Sequence, residues 1–245
     1  MMVSALVTGA SRGIGRGIAF GLATAGVELT ITSRTASDLE ILRHELLAAG
    51  SPQVVFEAVD LADEDALAGL VELHGEHFSS MDALVVNAGV GTGGDVATFP
   101  MRRVQKTVQV NLTSAMRLVQ HALPLLRSAA AADPVRGAKI IGLSSITGVY
   151  AEHGLAVYGA TKAALISFLE TVSLEESANG ICATSIAPAY VDTDMAAYVS
   201  DRIPTTEMIP VSDVVNVVMM LMNLSANSVI NRIVVARRGT TGYTA

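Results

Sequence analysis

Short apolar, β-branched runs alternate with longer stretches of helical periodicity from one end of this chain to the other, and few folds accommodate that order. The strand candidates are Ala5–Thr8, Leu29–Ser33, Val54–Val59, Ala83–Val86, Lys139–Ser144, Cys182–Ile186 and Val229–Val235. Most are apolar throughout, as strands covered by helices on both faces are. Helix candidates lie between them at Ile14–Ala25, Ala36–Ala49, Glu64–Phe78, Met101–Ala131, Ala156–Asn179 and Ser212–Leu224, with Gly26 and Gly50 placed to act as C-terminal caps. The alternation predicts an α/β fold, a three-layer αβα sandwich around a seven-stranded, mostly parallel, doubly wound sheet.

No Pro/Ser/Gly-rich linker, charge block or solenoid-spaced repeat divides the 245 residues, so one domain spanning 1–245 is expected. A chain of this length buries enough surface to need neither disulfides nor a structural metal. Its single cysteine, Cys182, falls in an apolar strand pattern and reads as a small core residue. One cysteine cannot form an internal bridge, which fits a reducing compartment. The N-terminus carries no basic region followed by an apolar stretch and a cleavage site, so a cytoplasmic protein is expected. The apolar stretch Val214 to Leu224 is too short to span a bilayer. The 51% hydrophobic content is high, and points to a sheet buried on both sides with further helix faces buried between subunits. A formal net charge of −7 argues against nucleic acid or an anionic membrane as the main partner. An anionic cofactor therefore requires local positive charge.

That charge occurs beside a glycine-rich turn. The first strand runs into Thr8-Gly9-Ala10-Ser11-Arg12-Gly13-Ile14-Gly15 and then into a helix. Glycines let the backbone turn sharply and approach a pyrophosphate, whose charge meets the helix N-terminus; this is the physics of Rossmann-type dinucleotide sites, here with GxxxGxG spacing. At the end of the second strand a carboxylate would bind the ribose 2′-hydroxyl of NAD, whereas arginine suits a 2′-phosphate. The sequence has Ser33-Arg34-Thr35 there. Arg34, with Ser33 leaving room and Arg12 as a second cation, favours NADP(H).

The fifth strand closes on Leu143-Ser144-Ser145, and Tyr158 and Lys162 follow, four residues apart on one helix face. A phenol of pKa near 10 is a poor base at neutral pH, and a neighbouring ammonium is expected to favour the phenolate. The Ser145 hydroxyl can hold and polarise a substrate oxygen while Tyr158 gives or takes its proton. With five tyrosines and three lysines, such a pair arises by chance at an expectation of about 0.06, before a strand-end serine is also required. The pattern is that of carbonyl–alcohol interconversion.

Taken together, these residues resemble the short-chain dehydrogenase/reductase family over essentially the whole chain. The matching features are TGASRGIG at 8–15, Asp60-Leu61, Asn87-Ala88-Gly89, Asn111, Ser145, Tyr158, Lys162 and Pro188-Ala-Tyr-Val-Asp-Thr193. The resemblance implies that Gly9, Ser11, Arg12, Gly13, Ile14, Gly15, Ser33 and Arg34 hold the NADP phosphates, that Asp60 and Leu61 meet the adenine, and that Asn87, Ala88 and Gly89 pass beneath the adenosine ribose. It implies that Lys162 also binds the nicotinamide ribose and that Thr193, with Pro188 and Val191, flanks the carboxamide. It further implies that Asn111 distorts its long helix and holds a water relaying protons through Lys162, and that the protein is a homodimer or homotetramer. Two features depart from the family pattern. Pro188 is followed by Ala189 where glycine is usual, and the C-terminal strand lacks the Thr-Gly and double glycine of many 3-oxoacyl-carrier-protein reductases. The second departure resembles the branch acting on hydroxy acids and miscellaneous carbonyls.

The segment 194–210 is expected to be a short substrate lid. Ser145, Thr147, His153 and Tyr190 are the substrate-facing candidates, in a pocket suited to a modest, partly hydrophobic carbonyl compound. His74 and His77 share a helix face, but no third ligand has metal-site spacing, so no metal is expected. The leading expectation is an NADP(H)-dependent oxidoreductase acting on CH–OH groups and a small-molecule substrate. A 3-oxoacyl-thioester reductase is the alternative within that class. A catalytically idle NADP-binding regulator is the alternative outside it.

Overall fold

A computed structural model describes residues 3–244, apart from the side chain of Glu64. Seven strands alternate with seven α-helices: β1 Ser4–Thr8, α1 Gly13–Thr24, β2 Glu28–Ser33, α2 Ala36–Ala49, β3 Val54–Ala58, α3 Glu64–Phe78, β4 Ala83–Val86, α4 Met101–Val108, α5 Ser114–Ala132, β5 Ala138–Leu143, α6 Ala156–Glu176, β6 Ile181–Pro188, α7 Val211–Asn223 and β7 Arg232–Val235. The strands form one sheet in the order β3-β2-β1-β4-β5-β6-β7, and every pairing is parallel. The Rossmann-type doubly wound sheet read from the sequence is what the chain forms.

Alternation along each strand builds the two faces. Ala5 and Val7 join a cluster with Ile18, Leu22, Leu42 and Val218, whereas Leu6 joins Leu70, Leu118, Leu126 and Leu169 on the other side. Hence α1, α2 and α7 cover one face and α3, α5 and α6 the other, and successive β1 side chains serve opposite layers. The strand order reverses between β1 and β4, so a crevice opens where their C-terminal ends diverge. The glycine-rich turn, Asn87–Gly89 and Ser144-Ser145 all lie at that end.

Three sequence boundaries change by more than two residues. The single helix expected over Met101–Ala131 is broken at Gln109–Thr113 by a π-helical turn, so α4 and α5 are separate elements. Asn111 sits in that turn, where the resemblance placed a distortion. The last strand starts at Arg232 rather than Val229, because the ladder with β6 begins only at Ser185–Arg232. Residues just before it are held singly, through Thr184 Oγ1 to the Ile230 carbonyl and Ser185 N–H to the Asn231 carbonyl. The helix expected over Ala156–Asn179 ends at Glu176, followed by a 3-10 turn at Ser177–Asn179.

His74 shows why a shared helix face is a weak ligand argument. His74 is fully buried whereas His77 is exposed. The His74 ring bridges β1, β2 and the end of α3: Thr30 Oγ1 lies 2.8 Å from Nδ1, and the Ser80 carbonyl lies 3.0 Å from Nε2. Among the described residues no helix is long and apolar enough to cross a membrane. None of their His, Cys, Asp and Glu side chains cluster in threes around a metal position.

Candidate active site

Glycine stereochemistry shapes the first wall of the crevice. Gly9 and Gly13 adopt φ of 65° and 56°, left-handed values that side chains disfavour. A Cβ on Gly15 would run into the Gly9 carbonyl oxygen and Asn87 Nδ2. The Asn87 amide closes this wall by donating to the Thr8 carbonyl at 2.9 Å, and the Thr8 hydroxyl oxygen accepts from the Asn87 N–H at 3.0 Å. Helix α1 has no acidic residue in its first turn and no side-chain cap, so its N-terminal N–H groups are left to an outside anion.

A cavity of about 420 Å³ runs from this turn across the sheet ends. Gly9, Ser11, Arg12, Gly13, Ile14, Ser33, Arg34, Asp60, Leu61, Asn87, Ala88, Gly89, Tyr158, Lys162 and Thr193 all border it. Gly15 does not border it. Asp38 and Lys106 border it as well, neither of them marked by a motif in the sequence. Arg34 is exposed. Arg12 reaches Asp194 at 3.6 Å, tying the glycine turn to segment 194–199 by a solvent-exposed ion pair.

A second cavity of about 670 Å³ adjoins the first, lined by Ser145, Thr147, Glu152, Leu155, Tyr158, Pro188, Tyr190, Val191, Thr193, Met195 and Tyr198 among others. Tyr158 and Ser144 border both cavities. His153 does not border either and is exposed. Its neighbour Glu152 faces the cavity instead. Consecutive side chains in non-helical backbone diverge, and the turn at Gly154, with φ of 79°, carries His153 outward.

Tight packing fixes Ser145 against Tyr158. The turn Ile146–Gly148 lies directly on α6, where a Cβ on Gly148 would come within 2.7 Å of the Lys162 carbonyl carbon. Ser145 Oγ accepts two hydrogen bonds from Thr147, from its N–H at 3.2 Å and from its hydroxyl at 3.0 Å. The Ser145 hydroxyl also lies near enough to the Tyr158 phenol to lower its pKa. On the far side, Lys162 Nζ donates to the Leu143 carbonyl at 2.6 Å and stands 5.7 Å from the Tyr158 ring centroid. Asn111 borders neither cavity. Its amide takes both main-chain groups of Val90, accepting from the N–H at 2.8 Å and donating to the carbonyl at 3.0 Å, and also donates to Thr161 Oγ1. Gly89 lies between Asn111 Oδ1 and Lys162 Nζ: a Cβ there would meet the two at 3.3 and 3.4 Å.

Burial dominates the electrostatics. It pushes the Tyr158 phenol up to about 12, against a smaller lowering by Ser145, while Tyr198 and Glu152 add to the rise. Burial brings Lys162 down to about 8. The expectation that the ammonium would favour a Tyr158 phenolate is therefore corrected: desolvation wins, and the arrangement holds a protonated phenol able to act as a proton donor.

A family description given as short chain dehydrogenase matches residues 4–204. The chain belongs to this family. Among its relatives in the family, the 3-oxoacyl-[acyl-carrier-protein] reductase FabG of Staphylococcus aureus is 32% identical over 205 residues, 83% of this chain and 80% of that one. A complex of Pseudomonas aeruginosa RhlG with NADP superposes with a TM-score of 0.85 at 29% identity, covering 96% of this chain and 94% of that one. An alcohol dehydrogenase of Thermococcus sibiricus, complexed with 5-hydroxy-NADP, gives a TM-score of 0.87 over 100% and 99% of the two chains. At 22% identity it speaks for the fold alone. As a short-chain dehydrogenase the chain is an oxidoreductase.

Proposed function

We propose that this short-chain dehydrogenase interconverts a carbonyl and a secondary alcohol with NADP(H), with Tyr158 as the general acid and base. The observation that carries the reading is the position of Tyr158. Tyr158 borders both cavities, with Ser145 beside it on the second, so a proton donor stands where a cofactor in the first cavity and a substrate in the second would meet.

The residues present fit the cofactor. The left-handed glycines bring backbone N–H groups to the first cavity, Arg34 and Ser33 stand at the end of β2 where a 2′-phosphate is read, and Asp60 to Leu61 and Asn87 to Gly89 line the middle of the same trough. A nicotinamide bound there would supply hydride in one direction and accept it in the other. The protein's own work is positional and protonic. Ser145, with both acceptor sites taken by Thr147, donates its hydroxyl proton onward to the reacting oxygen. Tyr158, held protonated, gives its proton to that oxygen as the alcohol forms, and takes it back in the reverse direction. Lys162 presents an ammonium to the trough beside Tyr158, and Asn111 fixes the Val90–Gly89 segment against which that ammonium lies. Thr193 borders both cavities, Pro188 and Val191 line the second, and segment 194–210 acts as a lid whose first residue pairs with Arg12.

The edge strand β7, with no strand beyond it among the described residues, offers an unpaired ladder for assembly as a homo-oligomer. A 3-oxoacyl thioester as substrate is favoured by the likeness to the Staphylococcus aureus reductase, whereas a smaller carbonyl compound is favoured by the C-terminal pattern. Oxidation of NADPH against a panel of 3-oxoacyl thioesters, 3-oxo acids, diketones and cyclic ketones tests the reading. Turnover with at least one class is expected, and its abolition in Tyr158→Phe with NADPH binding still measurable. NADPH binding without oxidation by any carbonyl would instead favour a cofactor-binding regulator.

A further inference from the structure

Glu152, Tyr190 and Tyr198 form a connected polar chain on the wall of the second cavity. They come from three places: the loop after β5, the end of β6 and the turn at Asp194–Val199. Tyr190 donates its hydroxyl to Glu152 Oε1 at 2.9 Å, and the Tyr198 hydroxyl lies 3.2 Å from that of Tyr190. The two rings meet edge to face, 6.2 Å apart. Burial and these neighbours raise Tyr190, which keeps its proton on the bond to Glu152. With that proton committed, Tyr198 is the donor to Tyr190. Every proton in the chain therefore points toward the carboxylate.

One acceptor is left over. Glu152 Oε2 is buried and meets no hydrogen-bond partner among the described residues. A buried carboxylate oxygen without a donor is costly, and the residue faces a cavity rather than packed core. The other acid on this wall, Asp194, is engaged by Arg12. Leu155 and Met195, which line the same cavity, carry no side-chain hydrogen-bond donor.

We propose that Glu152, oriented by Tyr190 and Tyr198, recognises a hydrogen-bond donor on the substrate, so that the enzyme selects carbonyl compounds bearing a hydroxyl, ammonium or amide N–H beyond the reacting carbon. This rests on the reading of Tyr158 and Ser145 as the carbonyl-reducing centre. The chemistry is that of a site built to pair with a polar group, which rejects an analogue lacking it because its own acceptor is then left bare. Tyr198 stands on the turn tied to the glycine loop by Arg12 and Asp194, so a donor seated on Glu152 also engages the element that covers the substrate.

The test compares kcat/KM within matched pairs: a methyl ketone with a terminal hydroxyl against the isosteric ketone with methyl in its place, and likewise for terminal ammonium and acetamido groups. The parent enzyme is expected to favour at least one donor-bearing member by about tenfold or more, the value of a hydrogen bond to a charged group. The favoured pair also tells which donor is read. In Glu152→Leu the ratio should collapse toward one, with Tyr190→Phe lowering it less. The ratio is the readout, because a general loss of fold lowers both members of a pair alike. Ratios near one in the parent, or a preference that survives Glu152→Leu, would overturn the inference while leaving the reductase reading intact. Absence of NADPH oxidation with every ketone would remove that reading and the inference with it.

Discussion

Thr147 saturates Ser145: its N–H and its hydroxyl both donate to Ser145 Oγ, at 3.2 and 3.0 Å. A serine hydroxyl has two acceptor lone pairs and one proton, so this leaves only the proton for Tyr158 or a substrate oxygen. Thr147 therefore aims Ser145 without touching the reacting carbon. Thr147→Val keeps the shape and the N–H bond but removes the hydroxyl. It is expected to lower kcat by about tenfold, the worth of one oriented hydrogen bond, with the KM for NADPH unchanged. Thr147→Ser should restore most of the rate. Steady-state kinetics of the two variants decide it, and equal losses in both would assign the effect to packing.

Arg34 offers a planar fork at the end of β2, where no carboxylate follows the strand directly. Arg34→Asp places a carboxylate where a 2′-phosphate is expected, so repulsion replaces attraction. The KM for NADPH should rise by about tenfold or more, while that for NADH changes little or falls. Asp38, in the first turn of α2, already borders the same cavity. Asp38→Asn is therefore expected to shift preference further toward NADPH. Kinetics with both nucleotides check the pair, and equal effects of Arg34→Asp on the two would refute the role.

Tyr158 and Lys162 are displaced in opposite directions by the same burial, to about 12 and about 8. The phenol therefore stays protonated through the neutral range and does not limit proton donation. The lysine loses its charge as pH rises through about 8. Carbonyl reduction is expected to be level below that value and to decline above it, while alcohol oxidation gains from removal of the phenolic proton as pH rises. Lys162→Arg, which cannot deprotonate in this range, should lower the rate and remove the alkaline decline. A pH–rate profile of kcat for both enzymes is the measurement.

The parts of this molecule legible in sequence are those set by local rules. Strands apolar throughout pointed to a sheet covered on both faces, and Leu6 and its neighbours Ala5 and Val7 do serve different layers. The pair Tyr158 and Lys162 was legible because helix geometry alone places residues four apart on one face. Glu152 was not, and its exposed neighbour His153 was singled out instead. Which of two adjacent loop residues faces a cavity is decided by turn geometry at Gly154 and by partners 38 residues away in the case of Tyr190, neither of which has a period. Tyr198, Asp38 and Lys106 were hidden for the same reason. The direction of the Tyr158 shift was misread because sequence shows the neighbouring charge but not the burial that outweighs it.

His74 was another residue whose setting only the fold reveals, and it makes stability depend on pH. Its Nε2 faces the Ser80 carbonyl and Nδ1 faces the Thr30 hydroxyl, so the network assigns the proton to Nε2 and a neutral ring that accepts from Thr30. Burial lowers its pKa from 6.5 to about 4, against a smaller raising by Ser80. The folded value is thus depressed: the unfolded chain takes up a proton below about 6.5 that the folded chain refuses until about 4. Stability from this residue is present in full above the unfolded value and is lost as pH falls through that window, by about 3 kcal/mol in total. Asp82, joined to the same network through Ser4, is raised by burial and so acts in the opposite sense at low pH. The contribution of His74 is isolated by substitution. His74→Gln should be less stable at pH 7.5 by about 1–3 kcal/mol, because it leaves part of the network unpaired, yet should show a shallower fall in stability between pH 6.5 and 4. Urea unfolding of both proteins across that range checks it, and parallel pH curves would show that His74 does not carry the dependence.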